Sequence, residues 1–196
     1  KTFVNKPAIG VLLDETMSED RIDTVITRFL SLKYERVGQV LRADIIAVRD
    51  TRGDTERFLR TIEKVKKAGI STMVLMSPSL DTLTAGAAAT DGMRPLLYAA
   101  DGKNLEHMHK LALTHACPLA VKGEGLDATA GLVRHLLDIK FKDIVIDASA
   151  RTLRQAFYDS VAARRMAVVA KNRMAGFPMI VLPCDMTDDP LQETLY

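Results

Sequence analysis

Aspartates recur at the ends of short apolar runs in this sequence. Five of seven such runs end in or beside one of Asp14, Asp50, Asp101, Asp147 and Asp185. If the runs are parallel strands of a barrel, their carboxyl ends meet at one mouth, where crowding would raise some of the carboxyl pKa values. Such a mouth could bind a cationic or hydrogen-bond-donating ligand, for example a pterin ring. The alternative interpretation is that each aspartate caps the next helix or begins a turn.

Other side chains with chemical potential form no recognisable constellation. Lys122 ends the fifth run, where a desolvated amine could form a Schiff base with a carbonyl substrate, but its polar, glycine-rich surroundings favour a solvated lysine. The histidines lack the i, i+4 metal spacing; they are His107, His109, His115 and His135. Cys117 and Cys184 flank prolines and are interpreted as unreactive thiols. We find no phosphate-binding loop, nucleophile elbow or zinc motif in the sequence.

The composition describes a globular chain. Of its 196 residues, 47% are hydrophobic and 27% are charged, and the formal net charge is +2. This charge gives no reason to expect nucleic acid or a membrane as a partner. Two cysteines provide neither a disulfide framework nor four ligands for an iron–sulfur cluster. The expected setting is the reducing cytoplasm.

The elements alternate between buried strands and amphipathic helices. Strands are predicted at residues 8–13, 44–48, 71–76, 95–100, 118–121, 143–146 and 178–182. Helix-period stretches separate them, the last a long basic helix at 152–174 that is either a solvated face or a docking surface for another subunit. Residues 81–92 are a weaker helix prediction, and residues 33–42 are ambiguous, with a backward extension of the second strand as one interpretation.

This alternation predicts an α/β fold with a parallel sheet. A (β/α)8 TIM barrel and an open doubly wound sheet both fit the pattern, but the first strand leads into Asp14-Glu15-Thr16-Met17 and not into a glycine-rich nucleotide loop. We therefore expect an incomplete barrel of about seven βα units. The expected domain is residues 1–196, as a single barrel domain cut from a longer multidomain subunit. The alternative is a complete seven-stranded open sheet.

Several sequence segments, taken in the order of the chain, resemble those of a known family. They are YERVGQ at 34–39, PLLYAADG at 95–102, NLEHM at 104–108, CPLAV at 117–121, RRMA at 164–167 and GFPMI at 176–180, together with the opening residues 2–8. In this order and spacing the chain resembles the middle barrel of the large (gamma) subunit of the corrinoid iron–sulfur protein. That protein belongs to the acetyl-CoA decarbonylase/synthase complex, also known as CO dehydrogenase/acetyl-CoA synthase.

The resemblance implies a role in methyl transfer. The family's large subunit has a [4Fe-4S] domain, this barrel and a corrinoid (cobalamin) domain. It takes a methyl group from a methyltetrahydrofolate or methyltetrahydropterin and passes it to acetyl-CoA synthase. The implied partners are the small subunit of the corrinoid iron–sulfur protein and the acetyl-CoA synthase and methyltransferase. By this resemblance the barrel is a scaffold that binds neither cofactor and is not catalytic alone.

One motif departs from the family pattern. Where the family tends to have Asp-Pro-Gly after the sixth strand, this chain has Asp147-Ala148-Ser149. Two other functions stay open: a barrel that itself binds a methylated pterin as a methyltransferase through the strand-end aspartates, and an unrelated small-molecule enzyme such as an aldolase at Lys122.

Overall fold

A computed structural model describes residues 7–195 of the chain. Its strands are β1 (Gly10–Asp14), β2 (Lys33–Arg36), β3 (Gln39–Arg42), β4 (Ile45–Arg49), β5 (Met73–Met76), β6 (Leu96–Ala100), β7 (Leu119–Lys122) and β8 (Ile144–Asp147). Its α-helices are α1 (Glu19–Ser31), α2 (Thr55–Lys67), α3 (Leu80–Ala89), α4 (Leu105–Thr114), α5 (Leu126–Asp138), α6 (Leu153–Val168) and α7 (Pro190–Leu195). Two 3-10 helices follow α6, at Arg173–Ala175 and Pro183–Asp185.

Six strands form one parallel sheet, in the order β1-β4-β5-β6-β7-β8. The order along the sheet is the order along the chain, as in successive βα units of a barrel, whereas a doubly wound sheet reverses its strand order. The prediction of an incomplete TIM-barrel-like α/β fold is confirmed, and residues 7–195 form no closed barrel.

The chain divides into two compact units. The first runs to Tyr98 and includes Thr114–Cys117; the second comprises Ala99–Leu113 and the chain from Pro118 onwards. In the first unit, β1 pairs with β4 from Gly10↔Ile45 to Asp14↔Arg49, and β4 pairs with β5 up to Arg49↔Met76. In the second unit, β7 pairs with β8 from Leu119↔Ile144 to Lys122↔Asp147.

Burial explains why the strands are apolar throughout. All four residues of β5 are buried, and so is the centre of β4. Against this sheet α2 buries Phe58, Ile62 and Val65, at the spacing of one helix face. The pattern of short apolar runs separated by helix-period stretches therefore predicted the first six strands within one or two residues.

The seventh predicted strand, residues 178–182, was wrong as a strand. Met179 makes only an isolated parallel bridge with Ile146, with Ile146 donating its N–H to Pro178 O at 2.8 Å and Ile180 donating to Ile146 O at 3.0 Å. Pro178 has no N–H to donate, and Pro183 starts a 3-10 helix soon afterwards. The pairing therefore does not extend beyond this bridge.

Two other segments also differ from their predictions. Residues 33–42 do not extend the second strand of the sheet backwards; β2 and β3 instead form a separate antiparallel hairpin. The long basic helix ends at Val168 rather than at residue 174.

Gly86 in α3 sits where α2 and α3 pack closely. A Cβ at Gly86 would lie 2.7 Å from Phe58 Cε1 and 3.3 Å from both Ile62 Cδ1 and Leu75 Cδ1. These three side chains are fully buried, so none can swing away cheaply. Gly131, in the middle of α5, is a matched control because a Cβ there meets nothing within 4 Å.

We expect Gly86→Ala to lower the free energy of unfolding. The overpacking cost of about 1–3 kcal/mol exceeds the helix-propensity gain of about 1 kcal/mol. Gly131→Ala keeps the gain alone and should raise stability. Urea unfolding followed by circular dichroism measures both. Equal stabilisation by the two substitutions would contradict the close packing of α3 on α2.

Candidate functional site

Three carboxyl side chains cluster at the carboxyl ends of β1 and β4 in the first unit. Asp14 ends β1, Glu15 follows it directly, and Asp50 follows the last residue of β4. Glu15 and Asp50 are 3% and 1% exposed. Burying carboxylates this deeply is costly unless donors compensate, so the hydrogen bonds around them define what the cluster can do.

Asp14 is bound to its register partner across the sheet. Arg49 donates its Nε–H to Asp14 Oδ2 at 3.0 Å, and Thr16 donates both its amide and its hydroxyl to Oδ1, at 2.9 and 2.7 Å. Burial raises the pKa of Asp14, but the hydrogen bonds from Thr16 and Arg49 outweigh it and hold the pKa below its ordinary value. Asp14 is thus an ionised carboxylate whose oxygens both accept hydrogen bonds from neighbouring residues.

Asp50 organises the loop that leads from β4 to α2. Its Oδ1 accepts the amides of Arg52 at 3.1 Å and Gly53 at 2.6 Å, and its Oδ2 accepts the Ser77 hydroxyl at 2.6 Å. Burial raises the pKa of Asp50, but the hydrogen bond from Ser77 and those from these two amides lower it below its ordinary value. Both oxygens are therefore occupied by donors of the chain itself.

Glu15 is a functional candidate that the aspartate pattern missed. Its Oε1 accepts three hydrogen bonds, from the Thr51 amide and hydroxyl at 3.1 Å each and from the Arg52 amide at 2.7 Å. Its Oε2 is buried and accepts no conventional hydrogen bond among residues 7–195. The sequence signal was a second carboxyl residue immediately after a strand end, beside the one that we had selected.

A half-buried arginine lies at the same edge of the first unit. Arg57, in the first turn of α2, donates Nη2–H to the Met17 carbonyl at 2.6 Å, which ties the β1–α1 loop to α2. Thr55 and Thr82 share a hydrogen bond of 2.7 Å between α2 and α3. These contacts, with those of Glu15 and Asp50, hold the loops after β1 and β4 together.

The second unit contains the other three predicted aspartates. Asp101 accepts the amides of Lys103 at 2.8 Å and Asn104 at 3.1 Å, which makes it the turn residue that leads into α4. Asp147, 8% exposed, accepts the Ser149 amide at 2.7 Å at the end of β8. Asp185 is exposed within a 3-10 helix. The turn interpretation therefore fits Asp101 and Asp147 directly.

A small cavity of about 10 Å³ lies beside Asp147 in this second unit. Asp159 of α6 also lines it, and burial raises the pKa of this carboxyl while a hydrogen bond with Gln155 partly offsets the effect. The remaining lining is largely apolar: Ala148, Ala150, Ala156, Met179, Ile180, Val181 and Met186. Because sites for drug-sized ligands measure roughly 300–1,000 Å³, this cavity is too small for a methylated pterin or a corrinoid.

The described side chains do not fit the two cofactors that the resemblance implies for the parent subunit. A [4Fe-4S] cluster takes four cysteine ligands, and the sequence has two. Residues 7–195 contain no group of three or more His, Cys, Asp or Glu residues able to hold a metal ion. Cys117 is buried, and burial raises the pKa of its thiol. Lys122 is exposed at the end of β7.

We expect Asp50→Asn to destabilise the chain at neutral pH, by about 1–3 kcal/mol, because buried donors lose a charged acceptor. The pKa of Asp50 is lowered, so its contribution is complete above its ordinary pKa of 3.8 and disappears as the pH falls through the folded-state value. The stability difference between Asp50→Asn and the parent chain should therefore narrow in acid. Urea titrations at pH 7 and pH 3 measure it, with exposed Asp188→Asn as the control. A difference independent of pH would contradict the charged role of Asp50.

Comparisons with known proteins give a consistent result. Residues 1–190 match the family model of the CO dehydrogenase/acetyl-CoA synthase delta subunit. The chain is 33% identical over 195 residues to the corrinoid/iron-sulfur protein large subunit of Moorella thermoacetica, covering 100% of this chain and 43% of that protein. It is 28% identical over 186 residues to the acetyl-CoA decarbonylase/synthase complex subunit gamma of Methanothermobacter thermautotrophicus, covering 93% of this chain and 40% of the relative.

The chain spans about two-fifths of the length of these curated relatives. Within residues 7–195 no helix has both the length and the hydropathy that a membrane span requires. The resemblance to the large (gamma) subunit of the corrinoid iron–sulfur protein is confirmed over the length of the chain. With a family model that matches 190 of the 196 residues, this chain belongs to the CO dehydrogenase/acetyl-CoA synthase delta subunit family.

Proposed function

We propose that this chain is the scaffold and docking barrel of a corrinoid iron–sulfur methyl-carrier subunit. In this proposal the complete subunit takes a methyl group from a methyltetrahydrofolate or methyltetrahydropterin and passes it to acetyl-CoA synthase. Its corrinoid and [4Fe-4S] cluster are bound by other parts of the longer subunit. The family match supports the assignment, and the two-cysteine composition supports placing the cluster elsewhere.

The observation that carries the scaffold role is the internal use of the strand-end carboxylates. Asp14 and Asp50 accept hydrogen bonds on both oxygens from residues of the same unit. A carboxylate that already has its donors gains little from a pterin N–H, because the incoming ligand would have to displace those donors. The methyltransferase alternative therefore loses the acceptors on which it depends in the first unit.

The docking role is supported by the outer face of α6. Of its sixteen residues, Ala156 and Ala163 are buried, six others are half-buried and eight are exposed. Phe157 and Tyr158 are about 60% exposed, with ring centroids 5.9 Å apart in an edge-to-face arrangement, and Val161 is also exposed. Exposed arginines border this face: Arg151, Arg154, Arg164 and Arg165. Aromatic residues and arginine are the types that protein interfaces enrich.

The scaffold role predicts no ligand binding by the isolated chain. We expect calorimetric titration of the 196-residue chain with methyltetrahydrofolate, methyltetrahydropterin and hydroxocobalamin at neutral pH to give only heats of dilution. Binding of the pterin that disappears in Asp101→Asn or Asp147→Asn would contradict the scaffold role and make this barrel the methyl donor's site.

The docking role predicts a loss of affinity on α6. We expect Phe157→Ser with Val161→Ser to weaken binding of the cognate small subunit at least tenfold, since truncating a central anchor costs 2 kcal/mol or more. The melting temperature should not fall, because both side chains are exposed. Leu113→Ser on α4 is the matched control, since Leu113 is 59% exposed and Phe157 58%. Surface plasmon resonance measures the affinities, and equal affinities for both variants would contradict docking through α6.

A further inference from the structure

The β2–β3 hairpin is ordered yet exposed along its whole length. Every residue from 31 to 42 is exposed, while Ala43, the next residue, is buried. The two strands pair with each other over four residue pairs, from Lys33↔Arg42 to Arg36↔Gln39, and form a sheet of their own. A two-stranded hairpin alone is at best marginally stable in water. In the described chain it therefore has a formed backbone and no core.

The turn of the hairpin holds an unusual residue. Val37 and Gly38 both have positive φ, 49° and 72°, the combination of a type I′ turn. This turn favours Asn-Gly, because a β-branched side chain in the left-handed region is strained. Val37 is nevertheless 94% exposed, so no contact within the described chain compensates for its strain. A strained residue whose side chain makes no compensating contact within its own chain indicates a role in contact with another molecule.

One face of the hairpin pairs two exposed apolar residues. Tyr34 lies opposite Leu41 in the register, so both side chains project from the same face, and they are 60% and 46% exposed. Val37 extends this surface at the tip of the hairpin. An aromatic ring beside two aliphatic side chains is the composition of an interface core rather than of an ordinary solvated loop.

The opposite face carries the Lys33–Arg42 pair together with Glu35 and Val40. Lys33 lies directly opposite Arg42, and like charges facing each other across two strands are destabilising. Asp44 relieves only part of this repulsion, at 3.5 Å from Arg42 Nε. Arg36 lies on the face of Tyr34 and Leu41, so both faces carry cations, and with the single acidic residue Glu35 residues 33–42 have a formal charge of +2. A second copy of the chain would bring the same charges together, whereas an acidic surface would neutralise them.

We propose that the β2–β3 hairpin is a docking arm that seats on a partner subunit whose contact surface is apolar at its centre and rich in Asp and Glu at its rim. Tyr34, Val37 and Leu41 supply the buried contact, and Lys33 and Arg36 supply the charge complementarity. This inference rests on the proposed function only in taking the occupant to be a subunit of the same assembly.

Hydrogen exchange tests the arm directly. The intact 196-residue chain is mixed with the cognate small subunit and, separately, with acetyl-CoA synthase, and amide exchange is followed by mass spectrometry. We expect residues 33–42 to exchange rapidly in the chain alone and at least tenfold more slowly in one of the two complexes. A complex that forms while these amides stay unprotected overturns the docking arm and leaves the scaffold role standing. Failure to form either complex overturns both.

Two variants separate contact from folding. Val37→Asn should relieve the strain of the turn, so the hairpin stays formed, yet it removes the apolar tip and should weaken binding about tenfold. Lys33→Glu with Arg36→Glu should weaken binding by at least as much, and raising the salt concentration should weaken the parent chain's complex in the same direction. Leu113→Asn on α4 controls for the loss of an exposed apolar residue. Unchanged affinity in both hairpin variants would overturn the proposal.

Discussion

Two carboxyl groups, those of Glu15 and Asp50, are buried at the strand ends of the first unit, and the β4–α2 loop and Ser77, which follows β5, donate hydrogen bonds to them. The Arg52 amide donates to both groups, at 2.7 Å to Glu15 and 3.1 Å to Asp50. Water would otherwise supply these hydrogen bonds, so the loop can pack against the strands only while it replaces water as the donor. The course of residues 51–53 is therefore set by the carboxylates as much as by the chain's own turn preferences.

The strand-end carboxylates of this chain have a structural use. Parallel strands deliver polar residues to one edge, and in many barrels that edge is the active site. Here the same edge uses its carboxylates to fix loops: Asp14 binds Arg49, Asp50 binds the β4–α2 loop, and Asp101 begins α4. On the outer surface, α6 and the hairpin present aromatic and aliphatic side chains to solvent.

The sequence predicted the buried elements better than the exposed ones, for a physical reason. A strand such as β5 is apolar at every position because both of its faces are covered, and that pattern is visible without coordinates. The hairpin has no buried face, so Tyr34 and Leu41 leave no periodicity that distinguishes a strand from a loop. The interpretation of residues 178–182 as a strand failed because an apolar run records burial and not hydrogen bonding, and prolines flank the pairing segment. Glu15 was missed because the sequence shows two adjacent acidic residues, Asp14 and Glu15, but does not show which of them is buried more deeply.

The net charge of +2 also has a different meaning once the positions of the charges are known. Some of the acidic side chains are buried or half-buried and accept hydrogen bonds from neighbouring donors: Asp14, Glu15, Asp50 and Asp147. The arginines of α6 and the cations of the hairpin remain outside. A chain whose net charge is close to zero can therefore present basic faces. Its small net charge does not exclude an acidic protein partner. Long-range attraction depends on the charge that faces the solvent, and on α6 and the hairpin that charge is positive beside exposed apolar side chains. Both faces thus combine the two properties that protein association requires, an apolar contact and a charge that orients it.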